Sequence, residues 1–79
     1  MKLTYDPRYN VAYLCLKEKP AQVETIRVSE ELNIDIAPDG TIYGLELLNA
    51  NSQLAVDQHD EFVLINEQSG ARAAIKLPA

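Results

Sequence analysis

Apolar and polar residues alternate with a period of two along most of the chain. Residues 1–6 alternate in this way, and from Ile26 to Ile36 the even positions are apolar except for Glu30. Successive side chains of a strand point to opposite faces, so this pattern predicts strands with one buried face. The segment from Val11 to Lys17 is apolar on both faces, which predicts a central strand that is covered on both sides.

Turn-forming residues separate these segments. Residues 6–10 contain Asp-Pro and Asn, Glu30-Glu31 interrupts the long alternating run, and Ala37-Pro38-Asp39-Gly40 is the strongest turn signal in the chain. Proline presets φ for the second position of a turn, and glycine accepts the left-handed conformation that closes a hairpin. The predicted fold class is mainly β: a small antiparallel β-meander or hairpin sheet of five to seven strands with at most one short helix. Residues 1–79 are expected to form a single domain.

The last third of the chain carries weaker signals. Residues 49–60 show no clear alternation, and Ser52 is a residue type that caps helices, so we expect a short helix reaching toward Gln58. Phe62 to Ile65 and the alternating segment Ala71 to Leu77 predict two further strands.

The small size of the chain predicts self-association. A domain of 79 residues buries only about 60% of its unfolded surface, and such domains usually need an additional stabilising device. The single cysteine excludes an intramolecular disulfide, and one cysteine with one histidine cannot form a Cys/His zinc site. We therefore predict a homodimer. Its expected interface residues are the second face of the central strand and one exposed turn tyrosine: Ala12, Leu14, Leu16 and Tyr9.

The charge distribution narrows the range of partners. The net charge is −5, and between Glu24 and Glu67 a single cation, Arg27, faces ten carboxylates. A phosphate backbone would be repelled, so we expect no nucleic-acid partner, whereas a basic partner protein is electrostatically compatible. No apolar run approaches the ~20 residues of a membrane helix, and no signal-peptide pattern follows Met1. The lone Cys15 suits a reducing compartment, so we expect a cytoplasmic protein without membrane association.

No arrangement of residues predicts catalysis. Cys15 lies in an apolar strand, where a thiol is not activated, and His59 lies in a polar, acidic run. The serines have no nucleophile-elbow context, and the three glycines lack the spacing of a phosphate-binding loop. We expect neither enzymatic activity nor a cofactor.

One group of polar residues could bind a ligand. Parity places Asn33 and Asp35 on the polar face of one hairpin arm, and Glu46 joins them if the loop keeps the apolar positions of both arms aligned. These oxygens would then suit a hard divalent cation. The simpler interpretation is that Glu46 faces solvent or pairs with Arg27, and that Gly44 merely leaves room for a neighbour. A bulge in the turn would change the alignment.

Two blocks of sequence are similar to a known family. The first comprises Lys2 to Pro7 and Asn10 to Leu16; the second comprises Leu32 to Ile36, Pro38 to Gly40 and Ile42 to Ala50. Together they resemble the small bacterial family catalogued as domain of unknown function 2283. The resemblance implies a small β fold without established enzymatic activity. It also implies an accessory or antitoxin-like role, because some members are thought to be encoded beside small toxin-like proteins.

The resemblance has limits. Arg27 to Glu31 stands where the family more often has acidic residues and a glycine, and Phe62 to Leu77 does not align with the family pattern. The preferred hypothesis is a non-catalytic, homodimeric protein-interaction module. The alternative is a small-ligand or divalent-metal-binding domain that uses Asp35 and Glu46, with Asn33 beside them.

Overall fold

The computed structural model describes residues 1–18, 22–55 and 60–76. In these residues the chain forms seven strands and one short helix. They are β1 (Lys2–Asp6), β2 (Val11–Cys15), β3 (Glu24–Ser29), β4 (Leu32–Ile36), β5 (Ile42–Leu48), α1 (Ala50–Gln53), β6 (Glu61–Ile65) and β7 (Arg72–Lys76). The predicted class, an antiparallel β fold with at most one short helix, is confirmed.

The strands form one larger sheet and one separate hairpin. Five antiparallel strands are ordered β1-β2-β5-β4-β3, so β5 lies in the centre between β2 and β4. The chain therefore crosses from β2 to the far edge of the sheet before it returns through β3, β4 and β5. Within the described residues, strands β6 and β7 pair only with each other, as a two-stranded antiparallel hairpin.

The turns lie where the sequence places them. Glu30 and Glu31 form the turn between β3 and β4. In the next turn the Gly40 N–H donates to the Ala37 carbonyl at 2.9 Å, with Gly40 at φ +90°. The Thr41 backbone N–H donates to the Asp39 carboxylate at 2.9 Å and holds the pKa of Asp39 below its ordinary value.

A bulge follows this second turn. Asp35 pairs with Gly44 but Ile36 pairs with Ile42, so Tyr43 is the additional residue on β5. The bulge that the sequence left open is therefore present, and next to the turn Ile36 does not pair with Tyr43. The pairing from Asp35 toward the start of β4 keeps the expected parity.

The helix α1 starts earlier than expected. Asn49 adopts the left-handed conformation at φ 53°, and its carbonyl accepts the backbone N–H groups of Ser52 and Gln53, both at 3.2 Å. Asn49 is therefore the N-cap residue of α1, and the prediction of Ser52 as the cap is wrong. Gln58 and Leu77, which the sequence assigned to this helix and to the last strand, lie outside the described residues.

Asn10 fixes α1 to the turn between β1 and β2. Its backbone carbonyl accepts the Ala50 N–H at 3.0 Å, and its side-chain oxygen accepts the Asn51 N–H at 2.7 Å. Its side-chain amide donates to the Asn49 side-chain oxygen at 3.2 Å. Asn10 has a φ of 58°, a conformation that asparagine tolerates better than most residues. These contacts hold the helix against one end of the sheet.

Candidate functional site

One face of the five-stranded sheet is apolar. Residues paired across strands point to the same face, so the register defines which side chains share it. Two cross-strand rows cover this face: Leu3, Leu14, Leu45, Ile34 and Ile26 in the first, and Tyr5, Ala12, Leu47 and Leu32 in the second. We call these nine residues the apolar face; a hydrophobic core would form on it.

The apolar face is only partly covered. The helix α1 packs against β2 and β5, and Ala12 and Ala50 are completely buried. Among the described residues, no other apolar side chain is completely buried. In particular, none of the large side chains is fully buried. The molecule measures 34 by 34 by 19 Å, which leaves room for about two layers, since packed sheets lie ~10 Å apart.

The hairpin β6–β7 lies beside this face and leaves a cleft. The cleft encloses about 330 Å³. The sheet contributes Leu3 and Leu14 to its walls, and Met1 and Lys2 also line it. The hairpin contributes one face of its two strands, namely Phe62, Leu64, Ala73 and Ile75. We call this space the apolar cleft.

The predicted interface residues lie in different surroundings. Ala12 is completely buried, so it has no surface to offer to a partner. Leu14 is half-buried in the wall of the apolar cleft, and Leu16 is half-buried just after β2. Tyr9 is 72% exposed in the β1–β2 turn, where Arg8 stacks on its ring at 5.3 Å. This turn is at the opposite end of β1 from the cleft, so the structure separates Tyr9 from Leu14.

The opposite face of the sheet contains a buried carboxylate. Asp35 on β4 is only 7% exposed. The Tyr13 hydroxyl on β2 donates to one of its oxygens at 2.7 Å, and the Thr25 hydroxyl on β3 donates to the other at 2.7 Å. Buried polar groups need such partners. The three side chains therefore form a polar network that connects β2, β4 and β3 across the central strand.

Gly44 on the central strand makes this network possible. A Cβ atom at this position would collide with the hydroxyl and ring of Tyr13, whose Cε2 would lie at 2.9 Å. The Tyr13 side chain thus crosses directly above Gly44 on its way to Asp35. The sequence interpretation that Gly44 leaves room for a neighbour is confirmed, and the neighbour is Tyr13.

Asn33 and Glu46 face each other on the same side of the sheet as Asp35. The Asn33 amide donates to Glu46 Oε1 at 2.9 Å, whereas the Arg27 guanidinium donates to the Glu30 carbonyl at 3.5 Å. The structure therefore brings the three proposed ligand residues to one face. The carboxylate oxygens of Asp35 and Glu46 already accept hydrogen bonds from neutral groups of the protein itself. In residues 1–18, 22–55 and 60–76, no three His, Cys, Asp or Glu side chains are grouped as metal ligands would be.

A protein-family model matches the part of the chain that forms the five-stranded sheet. The family described as protein of unknown function, DUF2283, matches residues 2–51. This range covers β1 to β5 and the start of α1, which is more than half of the chain. The chain belongs to the DUF2283 family. The match ends before the hairpin β6–β7. No curated protein and no solved structure gave a significant match.

Two features of this DUF2283 protein were not found from its sequence. The first is the role of Tyr13: its strand was expected to be apolar on both faces, but its hydroxyl belongs to the polar network. Parity separates Tyr13 from Leu14 on the other face, but it did not indicate that the face of Tyr13 is polar. The apolar cleft was also missed, although Phe62 and Leu64 alternate in phase with Ala73 and Ile75.

The residues considered for catalysis have ordinary surroundings where they are described. Cys15 is half-buried, and its Sγ lies 3.3 Å from the Lys17 carbonyl oxygen. His59 lies outside the described residues. In the part of the chain that the structure describes, no helix has the length and apolar character needed to cross a membrane.

Proposed function

We propose that this DUF2283 protein is a non-catalytic protein-interaction module that works as a homodimer, in which a second copy covers the apolar face. The observation that carries the proposal is that no large apolar side chain in the described residues is fully buried. Large aliphatic and aromatic residues normally fill the core of a folded domain. A chain that leaves all of them partly exposed gains burial from a partner.

The accessible surface supports the same proposal. It amounts to 6020 Å², about 1,200 Å² more than the ~4,800 Å² that the area scaling law gives for a compact protein of 8.8 kDa. A standard interface removes about 800 Å² from each partner. One such interface would therefore account for most of the additional surface.

The sequence offers no other stabilising device, so association would contribute a large share of the stability of this chain. Its single cysteine cannot form an intramolecular disulfide. Small domains of this size often have only ~3–5 kcal/mol of stability from a single core. A twofold dimer is the commonest way in which identical chains bury one face each.

Sedimentation equilibrium at micromolar protein concentration tests the proposal. We expect a species of twice 8.8 kDa that dissociates on dilution. A mass that stays at 8.8 kDa over the whole micromolar range would contradict the homodimer.

The acidic segment from β3 to β5 supports an accessory role toward another protein. From Glu24 to Glu46, six carboxylates face a single cation, Arg27. Asp35 is buried, and the other five carboxylates attract a basic partner and repel nucleic acid. We propose a basic protein partner for this acidic segment, in line with the accessory or antitoxin-like role that the family resemblance implies.

A pulldown from native lysate, read by mass spectrometry, tests this second part. The matched control is an unrelated acidic bait of the same net charge. A small basic protein that is enriched on the DUF2283 bait alone supports the accessory role. Equal retention by both baits would mean that the acidic segment binds basic proteins nonspecifically, which would contradict the accessory role.

A further inference from the structure

The apolar cleft is the place where the hairpin and the sheet come close without packing. Leu3 and Leu14 form one wall and the hairpin forms the other, with about 330 Å³ between them. Apolar surfaces that meet inside a protein normally interdigitate at high density and leave few voids. The cleft instead remains open to solvent along the hairpin.

The exposure of the hairpin side chains confirms that this face is open. The register pairs Phe62 with Ile75 and Leu64 with Ala73, so these four residues point to the same side, toward the sheet. Nevertheless Phe62 is 41% exposed, Leu64 is 58% exposed and Ile75 is 63% exposed. This face has the composition of a core surface but lacks a covering layer.

We propose that a second copy of this chain fills the apolar cleft, with a twofold axis that places the hairpin face of each copy in the cleft of the other. This inference rests on the proposed homodimer and specifies its contact surface. In a twofold dimer the same patch serves both copies, so it must be self-complementary. The cleft offers two apolar surfaces that could meet in this way: the exposed side chains of Leu64 and Ile75, and the wall formed by Leu3 and Leu14.

The charge distribution favours a second copy at this position. Residues 60–76 contain three carboxylates and two cations. Asp60 and Lys76 also neutralise each other at 3.5 Å. Two identical acidic chains repel least where their surfaces are close to neutral. The cleft is such a surface, whereas residues 24–46, with six carboxylates and one cation, are not.

The test uses two variants of the full chain that differ only in the face of β6 that they change. Leu64 points into the cleft and is 58% exposed, whereas its neighbour Ile65 points away from it and is 53% exposed. Sedimentation equilibrium compares wild type, Leu64→Lys and Ile65→Lys. We expect Leu64→Lys to weaken dimerisation by about 30-fold or more, the size of an interface hot spot, and Ile65→Lys by less than about threefold.

The other outcomes separate this inference from the proposed function. If wild type dimerises and neither variant weakens it, the contact lies elsewhere, so the inference fails while the homodimer stands. Equal weakening by both variants would also overturn it, because the effect would not belong to the cleft. A monomeric wild type ends both proposals.

If circular dichroism shows that Leu64→Lys does not fold, a measurement on the wild-type protein tests the inference instead. Isotope-filtered nuclear Overhauser spectra of a mixed dimer, with one labelled and one unlabelled copy, report only contacts between copies. We expect intermolecular signals between the Leu64 or Ile75 methyl groups and Leu3 or Leu14. A dimer without these signals, for instance because another protein or a small apolar ligand occupies the cleft, contradicts the inference.

Discussion

The five-stranded sheet and the hairpin β6–β7 are held in place by different kinds of contact. In the sheet, polar side chains connect distant segments: Asn10 fixes α1, and Tyr13 and Thr25 both donate to Asp35. In the hairpin, the Asn66 side chain accepts two backbone N–H groups of its own turn, at 3.0 and 3.1 Å. Its salt bridge, Lys76 with Asp60, also stays within residues 60–76.

This difference in contacts explains why polar side chains of the sheet have defined partners on other strands, whereas in the described residues the hairpin face has no such partners on the sheet. Hydrogen bonds between strands are directional, so they select one register and one strand order. The hairpin faces the sheet with apolar groups only, and apolar attraction is not directional. Five of the ten exposed large apolar or aromatic side chains in the described residues lie in the hairpin. The sheet is therefore specified within one chain, whereas the hairpin has an apolar face that the sheet leaves largely exposed.

Gly44→Val should have the largest effect on the sheet. The new side chain would occupy the space of the Tyr13 ring and displace its hydroxyl from Asp35. Overpacking costs about 1–3 kcal/mol, and a buried carboxylate that loses a donor costs about 1–3 kcal/mol more. We expect a loss of about 3 kcal/mol or more in the free energy of unfolding, measured by urea denaturation.

A double-mutant cycle identifies the cause of this loss. Tyr13→Ala removes the ring with which the new side chain collides. In a Tyr13→Ala background, Gly44→Val should therefore cost less than in wild type, by about 1 kcal/mol or more, within the usual range of coupling energies. Strictly additive losses would mean that Tyr13 is not the neighbour for which Gly44 leaves space.

Tyr13→Phe should have the next largest effect, because it removes a single hydrogen bond to Asp35 and keeps the ring. Hydrogen bonds to charged groups contribute about 1.5–3 kcal/mol, so we expect a loss of about 2 kcal/mol. The matched control is Tyr5→Phe on the apolar face, which should change stability by less than ~0.5 kcal/mol. Equal effects of the two substitutions would show that the polar network does not stabilise the sheet.

The sequence predicted the strands well because alternation and turn chemistry are local properties. The turns at Glu30-Glu31 and at Ala37 to Gly40 follow directly from residue type. The Tyr13–Asp35 contact could not be predicted, since it depends on β5 lying between β2 and β4, and strand order is not encoded in periodicity. The expectation that Asn33, Asp35 and Glu46 share one face came from parity alone. Parity gave no indication that Asp35 is buried.

Each region has a glycine in one of its turns: Gly40 lies between β4 and β5 of the sheet, and Gly70 lies between β6 and β7. The same substitution can therefore be made in both regions. Gly40 has φ +90° and Gly70 has φ +76°, and a Cβ atom on either residue would have no neighbouring atom within 4 Å. Valine at these positions therefore adds backbone strain, while its Cβ atom meets no neighbouring atom. We expect Gly40→Val to lower the stability of the sheet by about 1–2 kcal/mol. Gly70→Val should leave the sheet within ~0.5 kcal/mol of wild type and weaken dimerisation instead.

Tyrosine fluorescence separates these two effects. All four tyrosines lie between residues 5 and 43, and the chain has no tryptophan, so the signal reports on the sheet. The unfolding curves are recorded at a protein concentration below the dimer dissociation constant. If Gly70→Val destabilises the sheet as much as Gly40→Val does, the two regions form one cooperative unit and the comparison fails.

Removal of divalent cations should have the smallest effect. Asp35 and Glu46 accept hydrogen bonds from hydroxyl and amide groups of the protein. Millimolar chelator should therefore leave the Tm of wild type unchanged, and Glu46→Gln should respond in the same way. A Tm that falls with chelator in wild type but not in Glu46→Gln would support a metal site at these carboxylates, because a bound ligand stabilises the folded state.

Amide hydrogen exchange at two protein concentrations tests most directly whether a second copy completes the hairpin. The concentrations lie well above and well below the dimer dissociation constant. We predict that the amides of β2 and β5 are protected at both, whereas those of β6 and β7 gain protection only at the higher concentration. Protection of β6 and β7 that is independent of concentration would show that the hairpin is stabilised within one chain, and would contradict this account.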